Sequence, residues 1–258
     1  MNNTSIQRDN AKKALFEALK TSGGEPKNEI VVAAIKELAS LNPNSAPTET
    51  SSLLEGNWLL IHAPNFPGRQ SDTQGRYIYT LGRLAFNMFK PAGLLVEIER
   101  VLQPVFPTGE GNERTHDIVV EFKTISENIP ELKGIVKNLA ICSPENKDTL
   151  QVKFTGGELL PRKTESPEKL KEWLKVFGQE FRPSQLRLRE RITSVFVKWM
   201  FGISKASDID PQTGKKAFTM NSSPKGMLKV LYLDEELRIT KGNRGTVLIC
   251  QRQVENSN

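Results

Sequence analysis

The chain has 258 residues, enough for one large domain or two modest ones with a sizeable buried core. Its 37% hydrophobic and 26% charged residues are those of an ordinary folded protein, which excludes both a disordered chain and one built from long apolar membrane spans. With 36 basic and 30 acidic side chains the net charge is +6, which favours anionic surfaces weakly and lacks the dense basic clusters of a nucleic-acid binder.

The N-terminal residues and the cysteines bear on the compartment. The first nine residues contain no apolar core for a secretory signal, and Asp9 and Glu17 do not suit an acid-poor transit peptide. Cys142 and Cys250 belong to no C-x-x-C pair, which predicts buried free thiols rather than a disulfide or a zinc site. We therefore expect an intracellular protein, cytoplasmic or peripheral on a membrane.

Two short helices are predicted at the start of the chain. Apolar residues recur at helical spacing from Ala11 to Leu19 and stop at Gly23-Gly24. A second stripe runs from Ile30 to Leu41, and Asn42-Pro43 then breaks the pattern. We expect residues 1–50 to form a helical segment that packs on the domain that follows.

From Gly56 to about Gly156 the pattern changes to strands. Runs of β-branched and aromatic residues are separated by Pro, Gly or polar turns of hairpin length. The predicted strands are Trp58–Ile61, Tyr77–Leu81, Leu94–Val101, Ile118–Ile125, Val136–Ile141 and Leu150–Phe154. Short strands at this spacing predict an antiparallel sandwich or barrel.

A helical insertion is predicted at about 166–205. Ser166-Pro167-Glu168 supplies a cap, a first-turn proline and an acid, and the stripe after it ends at Gly178. The segment 184–203 is a second amphipathic helix with basic and aromatic side chains, a composition that suits an anionic lipid surface. The candidate membrane contacts are Arg191, Phe196, Lys198, Trp199 and Phe201. A packed surface helix shows the same stripe, so both interpretations stay open.

Strands return after the polar loop at 208–214. They are predicted around Phe218 and at Leu228–Leu233, Leu237–Thr240 and Thr246–Gln251. Tight turns at Asp234–Glu236 and Gly242–Gly245 connect the last three. Apolar residues on both faces of Val247–Cys250 indicate a strand buried on both sides. We expect this strand to lie beside the first one and to close a barrel.

Few residues suit catalysis. The only histidines are His62 and His116, and His116-Asp117 is a candidate base with its orienting carboxylate, although an ordinary strand-edge pair is the simpler interpretation. The sequence has no P-loop or nucleophile elbow, and Asp208 and Asp210 lack the later ligands of a calcium loop. We expect no catalytic residue, no metal and no cofactor.

Three segments resemble the plastid lipid-associated protein (PAP)/fibrillin family. They are Asn42-Pro43 with Pro47, then Leu54–Leu60, and above all Tyr232–Gly245. Further cues at 79–89 and 192–203 are most similar to cyanobacterial members. The resemblance spans residues 10–252 approximately. It implies a mainly β domain at 51–253, an antiparallel lipocalin-like barrel that is associated with thylakoids or lipid globules.

The resemblance also implies roles for individual residues. Trp58 is the expected plug of the barrel, and Asp234, Arg238 and Arg244 are the expected residues of the closing hairpin. In lipocalin-like proteins an arginine of a late strand often stacks on that tryptophan, and Arg238 is the first candidate. A plain Asp234–Arg238 pair across the turn is the alternative. The stretch Ile61–Asn65 and the helical insertion depart from the plastid pattern, so ligand identity does not carry over.

Three functions follow as hypotheses. The leading one is non-enzymatic binding or organisation of an apolar molecule, such as a carotenoid, a quinone or a membrane lipid, at thylakoid membranes or lipid globules. The first alternative is a scaffold that binds a protein partner and has a barrel filled by side chains. The second is an enzyme that acts on a lipophilic substrate through His116 and Asp117. The interior of the barrel is the feature that discriminates among them.

Overall fold

The structure is a computed structural model that describes residues 3–162, 166–178, 204, 206–223 and 225–253. The predicted helix at 184–203 lies outside the described residues. So do its candidate membrane contacts, which are Arg191, Phe196, Lys198, Trp199 and Phe201.

The described residues include five helices. They are α1 (Asn3–Thr21), α2 (Glu29–Ser40), α3 (Ser51–Leu54), α4 (Leu81–Leu84) and α5 (Pro167–Phe177). The sequence predicted α1, α2 and α5, and the predicted cap of α5 is present because the Ser166 side chain accepts a hydrogen bond from the Lys169 N–H. It missed α3 and α4, since a helix of four residues is too short to show a 3.6-residue period.

The same part of the chain has eleven strands. They are β1 (Gly56–Leu60), β2 (Ile78–Thr80), β3 (Leu95–Val105), β4 (Arg114–Thr115), β5 (Ile118–Thr124), β6 (Lys133–Asn146), β7 (Thr149–Pro161), β8 (Lys216–Thr219), β9 (Gly226–Leu233), β10 (Leu237–Gly242) and β11 (Val247–Gln253). All ten predicted strands are present, and only the two-residue β4 was missed. Strands β6 and β7 are longer than predicted, because the alternation of buried and half-buried residues in β6 continues into polar sequence at both ends.

Eight of these strands close into an antiparallel barrel. The order around the ring is β1, β3, β5, β6, β7, β9, β10 and β11, and β11 returns to β1. The closing pairs run from Asn57 opposite Gln253 to Leu60 opposite Cys250. Strands β2, β4 and β8 extend the sheet from β3, β6 and β7. The predicted barrel, and its closure by the last strand against the first, are confirmed.

The helical pair α1–α2 covers the outer face of the closing strands. Its buried apolar residues form one cluster with Tyr232, Leu237, Ile239 and Ile249. The neighbour of Ile249 in sequence, Cys250, belongs instead to a cluster inside the barrel. Strand β11 is therefore buried on both sides, as its apolar sequence predicted.

Candidate functional site

Trp58 is the middle residue of β1 and is fully buried. Its indole N–H donates to the carbonyl oxygen of Leu54 at 2.9 Å. Two guanidinium groups lie over its ring, with Cζ of Arg238 at 4.8 Å and Cζ of Arg252 at 4.3 Å from the ring centroid. The contact predicted for Arg238 is present. The contact with Arg252 was missed, because it depends on the pairing of Trp58 with Arg252 across β1 and β11, which the sequence does not give.

Arg252 forms hydrogen bonds to three backbone carbonyl groups around Trp58. Its Nη1 and Nη2 donate to the carbonyl oxygens of Glu55 and Leu53, and its Nε donates to the carbonyl oxygen of Glu235 at 2.6 Å. Gly56 leaves the necessary space, since a Cβ at this position would collide with Nη1 of Arg252, and its φ of 136° disfavours other residues. Gly56, two residues before Trp58, thus leaves room for the guanidinium group of Arg252.

Asp234 organises the turn between β9 and β10. Its carboxylate accepts hydrogen bonds from the Tyr232 hydroxyl at 2.6 Å and from the backbone N–H groups of Glu236 and Leu237, and it pairs with Lys12 of α1 at 2.6 Å. Burial by itself would raise the pKa of Asp234, but the hydrogen bonds from Lys12 and Tyr232 outweigh it and hold the pKa below its usual value. The alternative Asp234–Arg238 pair is wrong, because Asp234 faces α1 and the Arg238 side chain is inside the barrel.

Asn42 and Asn44 form hydrogen bonds to the closing hairpin at Leu233. Asn42 accepts a hydrogen bond from the Leu233 N–H at 3.3 Å, and the Asn44 side chain donates to the Leu233 carbonyl at 2.6 Å. The Asn42-Pro43 segment and the closing hairpin are therefore one unit in space. Arg244 is exposed in the β10–β11 turn beside Gly245, which has a φ of 82°, so the structure does not bring it to Trp58.

Two separate apolar clusters contribute inward-facing side chains. The plug cluster comprises Leu54, Trp58, Val105, Cys142, Leu150, Leu228, Val230, Leu233 and Cys250. The large cluster includes Val96, Ile98, Val101, Val120, Phe122, Val136 and Leu159, together with side chains of α4 and α5. A set of buried polar residues belongs to neither cluster, and we call it the polar layer: Gln103, His116, Asn138, Arg238 and Thr240.

The polar layer lies between the two clusters along the strands. In β3 the inward positions run from Val105 of the plug cluster through Gln103 to Val101 of the large cluster. In β6 they run from Cys142 of the plug cluster through Ala140 and Asn138 to Val136 of the large cluster. On β3 and β6 the polar inward residues therefore lie between the two clusters, whereas on β1 Leu60 packs against both.

The hydrogen bonds of the polar layer are incomplete. Nη2 of Arg238 donates to Oε1 of Gln103 at 2.8 Å, and the Asn138 amide donates to the Leu84 carbonyl at 2.9 Å. Within the described ranges, five buried side-chain atoms of the layer find no hydrogen-bond partner. They are Nε and Nη1 of Arg238, Nε2 of His116, Oδ1 of Asn138 and Oγ1 of Thr240. Buried polar atoms in proteins are almost always bonded to protein, water or a ligand, so the layer is a candidate site.

Burial is the main cause of the pKa shifts of the ionisable side chains in the layer and of Cys142 beside it. It lowers the pKa of Arg238, although an arginine side chain remains protonated in proteins. Burial and then the Arg238 charge lower the pKa of His116 to about 3, so this imidazole is neutral at pH 7. Burial raises the pKa of Cys142 to about 11, which leaves its thiol protonated and unreactive. The layer therefore presents one positive charge together with neutral donors and acceptors.

The histidines do not form a catalytic pair. Oδ1 of Asp117 accepts the Ala140 N–H at 2.9 Å, so this carboxylate supports the sheet instead of orienting His116. His62 lies in an outer groove beside Phe16 and Leu19 of α1, and its Nδ1 is bonded to the Ala63 carbonyl. The two imidazoles are in different sites, and among the described residues neither ring bonds to a side chain that could act as nucleophile or base.

Comparison with known proteins agrees with this architecture. The PAP_fibrillin family model matches residues 11–251. The chain belongs to the PAP/fibrillin family. No solved structure gives a significant match. This PAP/fibrillin chain also contains, within the residues described, no helix that is long and apolar enough to span a bilayer.

Relatives of this PAP/fibrillin chain are plastid proteins. A probable plastid-lipid-associated protein 3 of Arabidopsis thaliana is 26% identical over 89% of this chain and 53% of its own length. A light-induced chloroplast protein of Solanum tuberosum is 28% identical over 86% of this chain and 59% of its own. A chromoplast-specific carotenoid-associated protein C1 of an Oncidium hybrid is 26% identical, over 85% and 60% respectively. The chain thus spans between half and two thirds of the length of these relatives.

The hydrogen bonds of Arg252 predict that the barrel around Trp58 is sensitive to conservative substitution. We expect Arg252→Lys to lower the free energy of unfolding by about 2 to 3 kcal/mol, because lysine cannot present the planar fork that reaches three carbonyl groups. Arg244→Lys, in the exposed turn, is the matched control and should change it by less than about 0.5 kcal/mol. Urea denaturation measures both, and equal effects would contradict the assignment.

The neutral His116 predicts a loss of stability in acid. The pKa of His116 is lower in the folded than in the unfolded state. Its contribution to the free energy of unfolding is therefore complete above pH 6.5 and is lost as the pH falls towards 3. Between pH 7 and pH 5 this amounts to about 2 kcal/mol. We expect His116→Gln to lose correspondingly less stability over that range in urea denaturation. Parallel curves for the two proteins would refute this account of His116.

Proposed function

We propose that the protein binds or organises an apolar molecule within its barrel and does not catalyse a reaction. The observation that carries this proposal is the polar layer. Each unmade hydrogen bond of a buried polar group costs about 1 to 3 kcal/mol, so a barrel that served only as a filled scaffold would gain stability by replacing these residues with apolar ones. A bound molecule that presents polar atoms to the layer offsets that cost.

The closed end of the barrel supports this proposal. We propose that Trp58 is the plug, with Arg238 and Arg252 on its ring and with Asp234 holding the hairpin that completes the ring of strands. A barrel of eight strands has an interior that holds one small ligand when its inward side chains leave room. In this arrangement the plug cluster seals one end, and the polar layer forms the floor of the binding region.

The relatives support the class of ligand and the place of action. Their names include plastid-lipid-associated and carotenoid-associated proteins. We propose a carotenoid, a quinone or a membrane lipid as the ligand class, and a peripheral position at thylakoid membranes or lipid globules. An anionic membrane surface suits the net charge of +6.

A substitution inside the barrel tests where the ligand lies. Ala140 faces inward beside the polar layer, whereas Ile141 is half-buried on the other face of β6. We expect Ala140→Leu to weaken binding of the apolar ligand by about tenfold or more, because the added methylene groups occupy ligand space. Ile141→Leu should leave binding unchanged. The measurement is uptake of quinone, carotenoid and lipid by delipidated protein.

Several outcomes of that experiment count against the proposal. Delipidated protein that takes up none of these compounds would refute it. Equal loss of binding in the two variants would place the ligand outside the barrel. Recurrent co-purification of a polypeptide without any lipid would favour the scaffold alternative.

The proposed membrane contact has its own test. We expect the full chain to sediment with vesicles that contain anionic lipid and to remain in solution with neutral ones. Replacing Arg191 and Lys198 by Gln should weaken this binding by about tenfold or more, since each basic residue near such a surface contributes about 1 kcal/mol. Arg244→Gln is the control. Retention of full binding by the double variant would exclude these residues as contacts.

A further inference from the structure

Arg238 differs from the other buried arginine of the described structure. Arg114 has a carboxylate partner, Glu55, at 3.0 Å. Arg238 is only 1% exposed, and no Asp or Glu within the described residues forms an ion pair with it. A buried charge without a counter-ion is among the most costly features a protein interior can have. This position therefore calls for a negative group that the described side chains do not supply.

The guanidinium group also keeps most of its donors. It has five N–H groups and makes one hydrogen bond to an oxygen, from Nη2 to Gln103, with the Cys250 sulfur as a second, weaker acceptor beside it. The face of the group is taken by the Trp58 ring, so only its edges are free for a ligand. Nε and Nη1 are both buried and without an acceptor in the described part of the chain. A carboxylate can accept two parallel hydrogen bonds from one guanidinium group, and such bidentate pairs are among the strongest in proteins.

One further donor is available beside this charge. Thr240 is the next inward residue of β10, and its buried Oγ1 has no partner among the described residues, so its hydroxyl group can donate to an oxygen. The neutral His116 bonds to its own carbonyl group through Nδ1, so its unbonded Nε2 is an acceptor. Oδ1 of Asn138 is an acceptor and plays no part, since a carboxylate has no proton to give it.

We propose that the polar layer binds the carboxylate of a long-chain hydrocarbon acid, with Arg238 as its counter-ion and Thr240 as an additional donor. The inference rests on the proposed function and specifies the head group of the ligand. Because Arg252 and the plug cluster occupy one side of the layer, the hydrocarbon chain extends towards the large cluster, along Val101, Val120 and Val136. An uncharged carbonyl would satisfy some donors but would leave the buried charge uncompensated.

The test compares an acid with its neutral ester. Delipidated full-length protein is titrated with oleic acid and with methyl oleate, which have the same hydrocarbon chain. We expect the wild-type protein to bind the acid about ten- to a hundredfold more tightly, the range of a hydrogen bond to a charged group. Arg238→Met should lose this preference, because it weakens binding of the acid far more than binding of the ester. Arg244→Met, in the exposed turn, should keep the preference.

A second variant covers the case in which Arg238→Met does not fold. Thr240→Val has almost the same shape and removes only the hydroxyl group. It should weaken binding of the acid by about threefold or more and weaken binding of the ester by less, because a hydrogen bond to a charged acceptor is the stronger of the two. The inference would be overturned if Arg238→Met kept the full preference for the acid. It would also be overturned if Thr240→Val bound the acid as tightly as the wild type does.

The outcomes also separate this inference from the function on which it rests. Wild-type protein that binds the acid and the ester equally well has an apolar binding site without a carboxylate subsite, so only the inference fails. Wild-type protein that binds neither compound, and no quinone or carotenoid, has no such site. In that case the proposed function fails as well.

Discussion

The stacking of two guanidinium groups on the Trp58 ring is the interaction on which the rest of the structure depends. Trp58 belongs to the first barrel strand, Arg252 to the last and Arg238 to the one before it. The contacts therefore hold together strands from opposite ends of the sequence, where the entropy cost of closing the chain is large. Without this closure β1 and β11 would be open edges, and the interior could not exclude water.

The two arginines that stack on the Trp58 ring differ in their hydrogen bonds. Arg252 donates from Nε, Nη1 and Nη2 to the backbone carbonyl groups of Glu235, Glu55 and Leu53, so every nitrogen of its guanidinium group has a partner in the fold. Arg238 lies 4.8 Å from the ring centroid, against 4.3 Å for Arg252, but has one hydrogen bond to an oxygen, that of Gln103. An interior that needed only a closed end would not need the second cation. The polar layer is therefore the part of the barrel that stability alone does not explain.

Local patterns in the sequence predicted most of the fold. The run of β-branched and aromatic residues in Ile118–Thr124 and the turn residues of Tyr232–Gly245 are signals within one segment, and the strands they predicted are present. The role of Arg252 was missed because it depends on register between the two ends of the sheet. The polar layer was missed for the same reason. Gln103, Asn138 and Thr240 are ordinary polar residues of alternating strands until the barrel places them on its inner side.

The position of the polar layer limits what the barrel can hold. It places a desolvated cation among apolar side chains, so a hydrocarbon that filled this region without any polar group would leave that charge unpaired. Moving the cation to the surface is not possible, because Arg238 is fixed by Gln103 and by the Trp58 ring that closes the barrel. The same contact that stabilises the fold therefore keeps a charge inside it. An amphiphile with one anionic end is the kind of molecule that turns this cost into binding energy.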